Sequence, residues 1–107
     1  MDPTDNETWV VKVCGDVVER HASVGYDALS LKERLLYWLW WADYMMRNAG
    51  DFENAAALDR NFQSEAAVLA RQLGLRFTEE TFSQSRADLE RRYFDLFDRL
   101  CDEIRGA

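Results

Sequence analysis

Hydrophobic residues recur every three or four positions through most of this chain, which is the spacing of helices that bury one face. The first apolar stripe follows Thr4 and Glu7, which have the spacing of a capping box, and it stops before Gly25. Its members are Val10, Val13, Cys14, Val17, Val18 and His21. The pattern predicts a helix over residues 4–23, although the β-branched run at 9–13 leaves a strand at its start as an open alternative.

The second helical segment is apolar on two of its sides. Ser30 and Glu33 form another capping box, and Gly50 follows the last periodic residue, so a helix is predicted over residues 30–48. One face carries Leu31, Leu35, Trp38, Leu39, Ala42, Met45 and Met46. The other face carries Leu36, Tyr37, Trp40, Trp41 and Tyr44. A helix that is apolar all round is either central in the fold or shared with a partner.

A third helix is predicted over residues 52–73. Asp51 can cap its first turn, and Leu73-Gly74-Leu75 is typical of a helix that ends at a left-handed glycine with an apolar contact beside it. A fourth helix is predicted over residues 78–105, because the apolar stripe of this segment keeps one phase as far as Ile104.

The fourth helix has a candidate cap at Thr78 and a second one at Ser85, where the helix could restart. Leu96 and Leu100 lie on its apolar stripe and are predicted to be core residues. Because the connections between helices are short, neighbouring helices are expected to run antiparallel. The sequence therefore predicts an all-α fold, a compact array of about four antiparallel helices in one domain over residues 1–107.

Charge and hydropathy narrow the class of function. The chain has 20 acidic and 13 basic residues and a net charge of −7, so its field repels DNA, RNA and anionic membranes. The longest uninterrupted apolar run is 35–42, much shorter than the roughly 20 residues of a membrane span. The acidic start does not have the pattern of a signal peptide. We therefore predict a cytoplasmic protein with reduced thiols that binds neither nucleic acid nor membrane directly.

The residues that common catalytic and metal sites require are scarce in this chain. One histidine and two cysteines cannot complete a four-ligand zinc site or the Glu-x-x-His pairs of a di-iron bundle. Cys14 and His21 share a helix face but lie about 10.5 Å apart along its axis, too far for a thiolate–imidazole pair. We predict that the protein is not an enzyme and uses no cofactor and no metal.

The fourth helix presents a candidate acidic face, formed by Asp88, Asp95, Asp98 and Asp102. A row of carboxylates can imitate the phosphates of DNA and occupy a basic surface of a DNA-binding protein. The alternative is a solvated face crossed by ion pairs, because Arg92 and Arg99 follow two of these acids at i,i+4 spacing. The sequence leaves both interpretations open.

The second helix presents a candidate protein interface, formed by Tyr37, Trp40, Trp41, Tyr44 and Arg47. Large rings with polar tips are enriched at interfaces, but a central helix would place the same residues in the core. Arg47 can neutralise Asp43, which lies four residues earlier. We predict a homodimer through this face, with Phe94 and Cys101 beside it. The alternative is a bundle with a pocket lined by Trp38, Trp40, Trp41 and Met45, which would serve small-molecule binding or catalysis.

Three short segments carry a family resemblance. They are Gly25–Tyr37 with its Glu33-Arg34-x-x-Tyr37 motif, the helix end Asn48-Ala49-Gly50-Asp51-Phe52, and the run Leu89-Glu-Arg-Arg-Tyr93-Phe94. They resemble a bacterial family of unknown function that includes a dimeric DNA-mimic protein, whose helix end reads Asn-Gly-Gly-Phe. The resemblance implies a helical fold without catalysis and a role in binding regulatory proteins. We therefore expect a non-enzymatic acidic protein that binds a basic protein such as a DNA-binding regulator or a toxin.

Overall fold

The computed structural model describes residues 5–53 and 61–107, and every regular element within these two ranges is a helix. The α-helices are α1 (Asn6–Trp9), α2 (Gly15–Val24), α3 (Leu31–Ala49), α4 (Phe62–Gln72), α5 (Arg76–Phe82) and α6 (Arg86–Arg105). A π-helical turn (Val10–Cys14) joins α1 to α2, and a 3-10 turn (Tyr26–Ala28) precedes α3. The all-α class predicted from the sequence is confirmed.

α1, the π turn and α2 form one continuous helix, here called the N-terminal helix, because the backbone stays right-handed at both junctions. Asp5 caps its start, since the carboxylate accepts a hydrogen bond from Thr8 N at 2.7 Å. Thr4, the predicted cap, lies outside the described residues. The helix ends at Gly25 with a φ of 83°, as predicted. Residues 6–24 contain no strand, so the strand alternative is wrong.

The π turn changes which valines of the N-terminal helix are buried. Its i→i+5 hydrogen bonds widen the turn and rotate the intervening residues relative to a regular α-helix. Val10 and Cys14 remain buried, whereas Val13 is 40% exposed and Val11 is 67% exposed. The prediction that Val13 faces the core is therefore wrong. Turns of this kind occur often at functional sites, where they redirect side chains.

α3 begins and ends where its sequence predicts. The capping box is complete: Glu33 N donates to Ser30 Oγ at 3.1 Å, and Ser30 N donates to Glu33 Oε1 at 2.9 Å. Gly50 ends the helix in the left-handed conformation, with a φ of 75°. α3 packs against both the N-terminal helix and α4, and its buried residues lie on both predicted apolar faces. This is the arrangement of a central helix.

α4 covers the second half of the predicted third helix, whose residues 54–60 lie outside the described residues. Its end is the predicted glycine motif, with Gly74 at a φ of 73°. Leu75 N donates to Ala70 O at 2.8 Å, and Gly74 N donates to Arg71 O at 3.1 Å, which are the two bonds of a Schellman motif. At the start of the predicted helix, Asp51 accepts from Glu53 N at 3.0 Å.

The predicted helix over 78–105 is wrong as a single element, because it divides into α5 and α6 at residues 83–85. Ser85 caps α6 by accepting a hydrogen bond from Asp88 N at 3.2 Å, so the alternative restart is confirmed. Thr78 is not a cap but a buried residue within α5. Short polar side chains such as Ser83 compete with helical hydrogen bonds, which favours the break.

The core of α6 differs by one position from the prediction. Leu100 is fully buried, as expected, but Leu96 is half-buried. Phe97 takes the inner position and is 5% exposed. α6 begins at Arg86, eight residues after the predicted start at 78, so it docks onto the other helices as an element separate from α5.

Glu103 of α6 caps the first turn of α5. Its carboxylate accepts hydrogen bonds from Phe77 N at 3.0 Å, from Thr78 N at 2.7 Å and from Thr78 Oγ1 at 2.7 Å. Partial burial by itself raises the pKa of Glu103, but these hydrogen bonds, with the charge of Arg99, outweigh it and hold the pKa below its ordinary value. The charged carboxylate therefore stabilises the start of α5 and attaches it to the C-terminal end of α6.

We expect Glu103→Ala to lower the free energy of unfolding by about 1–2 kcal/mol at neutral pH. The depressed pKa makes this contribution complete above the ordinary glutamate value of 4.5, and it is lost as the pH falls through the lower folded pKa. Denaturant unfolding of both proteins at neutral pH and at a pH well below 4.5 should show a smaller difference in acid. Glu80→Ala, at an exposed ion pair with Arg76, is the control and should change little. An equal difference at both pH values would contradict the capping role.

Candidate functional site

The aromatic face predicted as an interface is divided between core and surface. Tyr37 is 7% exposed, and its ring centroid lies 4.4 Å from that of His21 and 5.0 Å from that of Trp38. Tyr37 is therefore a core residue and not an accessible part of an interface. Tyr44, two turns further along α3, is 46% exposed. The surface part of the face lies at the C-terminal end of α3.

Trp40 and Trp41 are half-buried and lie between these two extremes. Trp40 stacks on Tyr44, with ring centroids 5.1 Å apart and planes 10° from parallel. Trp41 contacts Trp40 edge-on, with ring centroids 5.1 Å apart. The buried indole N–H of Trp41 has no hydrogen-bond acceptor in the part of the chain that the structure describes. The stacking restricts the ring of Tyr44 although nearly half of that side chain faces solvent.

A buried polar cluster lies next to these rings. Asp43 is 5% exposed, and its two oxygens accept hydrogen bonds from Arg47 Nε at 3.0 and 2.9 Å, which confirms the predicted pairing. Tyr93 of α6 donates its hydroxyl to Asp43 at 2.8 Å. Burial, with the charge of Asp43, raises the pKa of Tyr93, so the phenol remains a donor. The cluster joins α3 to α6 and holds Arg47 in one position.

Arg47 also connects three helices at the surface. Its Nη1 lies 2.9 Å from Glu7 Oε1 in α1. Its guanidinium lies over the rings of Phe94 and Phe97 in α6, at 5.3 and 4.8 Å from the ring centroids. Glu7 and Arg47 are 40 positions apart in sequence, so no local pattern could have indicated their contact.

Two adjoining pockets flank Arg47. The apolar pocket, of about 290 Å³, is lined by Val10, Val11, Trp40, Asp43, Tyr44, Arg47 and Asn48. The acidic pocket, of about 380 Å³, is lined by Asp5, Asn6, Glu7, Arg47, Phe94, Phe97 and Asp98. We call the side chains that reach solvent around these pockets the Arg47 surface: Val11, Trp40, Tyr44, Arg47 and Phe94. Phe94 was expected beside the interface, whereas Val11 was not among the residues predicted for it.

Neither i,i+4 pair of the solvated-face alternative, Asp88–Arg92 or Asp95–Arg99, is among the ion pairs of the described residues. Asp88 pairs with Arg91 at 2.6 Å, three residues away. Arg99 lies over the ring of Phe77 in α5 at 4.2 Å, because an aromatic face attracts its guanidinium there. The acidic face therefore does not have the i,i+4 pairing that the sequence indicates.

None of the ion pairs within residues 5–53 and 61–107 includes one of the three remaining aspartates of this face. Asp95, Asp98 and Asp102 are exposed. The carboxylates of Asp98 and Asp102 accept hydrogen bonds from Asn6 Nδ2 at 3.0 and 3.2 Å, and that amide is neutral. These bonds attach the N-terminal helix to α6 without neutralising the acids. Asp98 also lines the acidic pocket, so the C-terminal part of the acidic face lies beside that pocket.

Neither cysteine is placed for nucleophilic chemistry. Cys14 and Cys101 are fully buried. Burial, with Asp43 nearby, raises the pKa of Cys14 to about 12, and burial also raises the pKa of Cys101, so both thiols remain protonated. His21 packs against the ring of Tyr37. Within residues 5–53 and 61–107, no three His, Cys, Asp or Glu side chains are arranged to hold a metal ion.

The alternative pocket of four side chains does not form as expected. Trp38 and Met45 are buried in the core, and Trp40 is the one member of the four that lines the apolar pocket. A larger pocket, of about 460 Å³, lies where α4 meets the junction of α5 and α6. Its amide side chains already bond to the backbone, since Gln63 donates to Gln84 O at 3.2 Å and Gln84 donates to Thr81 O at 3.1 Å. These groups serve the helix junction.

Comparison of the chain with family models, with curated proteins and with solved structures finds no match. The resemblance to the family with a DNA-mimic member is not tested by these comparisons and stays a prediction. None of the helices in the described ranges combines the length and the hydropathy needed to span a membrane.

Proposed function

We propose that this protein acts without catalysis, by binding another protein through the Arg47 surface. One observation carries the proposal. Three large apolar side chains, those of Val11, Tyr44 and Phe94, are 67%, 46% and 52% exposed around two pockets that share Arg47. Exposed apolar side chains clustered in this way mark interaction sites, because association removes them from water.

The Arg47 surface is ordered before a partner binds. Asp43 and Glu7 hold the guanidinium of Arg47, and Trp40 stacks on Tyr44. Side chains that are already restricted lose little conformational entropy on binding. Tyrosine, tryptophan and arginine are also the residue types that most often dominate the binding energy of interfaces. These properties support a role as the central contact of an interface.

Charge favours a basic partner for this surface. The chain carries a net charge of −7, and Asp95 and Asp98 are exposed on the same helix as Phe94. A basic protein would be steered toward this face by the electrostatic field, and apolar contact would then hold it. Two classes of basic protein have a surface of this kind. One is a DNA-binding regulator, whose DNA-binding site the α6 carboxylates would occupy, and the other is a basic toxin. DNA mimicry and toxin neutralisation are the two versions of the proposed function.

Affinity capture from lysate of the source cells tests the proposal with a matched pair of variants. Phe94→Glu places a charge at the Arg47 surface, whereas Val68→Glu places one on α4 at a residue of similar exposure, 49%. We expect Phe94→Glu to reduce the captured amount of a specific partner at least about tenfold and Val68→Glu to leave it unchanged. Circular dichroism and melting temperature establish that both variants fold. Equal capture by both would contradict a role for the Arg47 surface.

The predicted homodimer is the other occupant that this surface could have. A two-fold contact would bring Glu7 and Asp98 of one copy toward the acids of the other, and like charges at an interface oppose association. Light scattering at micromolar concentration separates the two cases. A mass near 12.5 kDa agrees with a basic partner, whereas a doubled mass that Phe94→Glu abolishes would identify a second copy as the occupant.

A further inference from the structure

The acidic pocket has the chemistry of a site for a cationic side chain. Asp5, Glu7 and Asp98 line it together with one guanidinium, that of Arg47. Arg47 is already bonded through Nε to the buried carboxylate of Asp43. Arg47 also bonds to Glu7 through Nη1 at 2.9 Å, and the charge of Arg105 acts on Asp5. Three lining carboxylates against the one guanidinium, which Asp43 also pairs, still leave the lining with an excess of negative charge.

The pocket also offers an aromatic surface to a cation. Phe94 and Phe97 line it, and Arg47 covers part of both rings. Phe94 remains 52% exposed, so part of its ring is open to a ligand. A cation beside carboxylates and against an aromatic ring gains both Coulombic and cation–π attraction. Arginine fits best, because its planar group stacks on rings and forms paired hydrogen bonds with carboxylates.

The apolar pocket indicates what else a partner bound at the acidic pocket should carry. It adjoins the acidic pocket at Arg47, and Val11, Trp40 and Tyr44 line it. An occupant of both pockets must therefore carry a large apolar side chain near a basic one. The described residues contain no strand, so they provide no sheet edge on which an extended peptide could add. An amphipathic helix meets the requirement, because residues three and four positions apart share its face.

Resting on the proposed function, we infer that the partner presents a basic amphipathic helix to the Arg47 surface. An arginine or lysine of this helix enters the acidic pocket, and an apolar side chain of the same face enters the apolar pocket. Charge complementarity favours this occupant over a second copy of the chain, whose net charge is also −7.

Titration of the isotope-labelled protein with synthetic helical peptides tests the inference. Each test peptide carries two leucines on one helix face and one arginine that lies three, four or seven positions from a leucine, so that it shares this face. The matched control peptide has glutamine in place of the arginine. We expect the amide resonances of Glu7, Phe94 and Asp98 to shift with an arginine peptide. The glutamine peptide should bind at least about fivefold more weakly at low salt, and the difference should shrink in about 0.5 M sodium chloride.

Asp98→Asn and Asp102→Asn form a matched pair of variants for this titration. Each removes one charge and one carboxylate that accepts from Asn6, but Asp98 lines the acidic pocket and Asp102 does not. We expect Asp98→Asn to weaken binding of the arginine peptide about fivefold and Asp102→Asn to weaken it less than about twofold. Equal weakening would show that only net charge matters and would overturn the inference.

The outcomes separate the inference from the proposed function. If no arginine peptide shifts these resonances while Phe94→Glu still abolishes capture of a protein partner, the basic-helix inference is overturned and the proposed function stands. If the peptides fail and Phe94→Glu also leaves capture unchanged, both are overturned. A doubled mass in light scattering that Phe94→Glu abolishes would replace the basic helix by a second copy.

Discussion

Truncation of Leu100 to alanine is expected to lower the free energy of unfolding by about 2–5 kcal/mol. Leu100 is fully buried in the core, together with Tyr93, Phe97 and Ile104 of the same helix. The loss combines the transfer free energy of the removed carbon atoms with the cost of the cavity that they leave, because a closely packed core relaxes only in part. Denaturant unfolding followed by circular dichroism measures this difference.

Leu96→Ala is the matched control for this prediction. It removes the same atoms one turn away on α6, from a side chain that is only half-buried. Water already reaches part of this side chain, so we expect a loss of about 1 kcal/mol or less. Equal losses at the two positions would mean that α6 is docked in a different rotation from the one described.

Replacement of Arg47 by methionine is expected to lower the free energy of unfolding by about 2–3 kcal/mol. The cost arises at Asp43, which is 5% exposed and would keep the Tyr93 hydroxyl but lose its two hydrogen bonds to a cation. Removing one member of a fully buried ion pair costs about 3–5 kcal/mol. The loss expected here is smaller, because the Arg47 side chain is 33% exposed and solvent already weakens its interaction with Asp43. Denaturant unfolding again provides the measurement.

The double variant Asp43→Asn/Arg47→Met isolates the effect of the unpaired charge. Asparagine retains an oxygen that can accept the Tyr93 hydroxyl but carries no charge, so the buried site no longer contains an uncompensated carboxylate. We expect the double variant to be more stable than Arg47→Met alone. A further loss of stability in the double variant would contradict this explanation, because both variants lack the arginine and differ only in the charge of residue 43.

Local signals predicted helix ends well in this chain. Ser30 and Glu33 form the capping box that their spacing predicts, and Gly25, Gly50 and Gly74 stop helices in positive-φ conformations. These features depend on a few neighbouring residues, since a cap needs one side chain and the first-turn amides, and a left-handed position favours the residue without a Cβ. The all-α class follows from the same local patterns repeated along the chain.

The periodicity of apolar residues predicted the helices less accurately where a helix is interrupted. The apolar stripe continues across residues 83–85, although α5 ends at Phe82 and Ser85 caps a new helix. A stripe records which residues are buried and not whether one helix carries them all. The π turn has a similar effect, because its wider spacing turns Val13 to solvent although its sequence position suits the buried face.

The periodicity of the sequence is enough to show that α3 has two apolar faces, and its spacing shows that Arg47 can pair with Asp43. Which of these residues reach solvent depends on the tertiary structure. Packing against the N-terminal helix and α4 places most of α3 in the core, and the contacts of Arg47 with Glu7 and Phe94 bring together three helices. The physical reason is that burial and long-range pairing depend on how helices dock, which the period of a single helix does not specify.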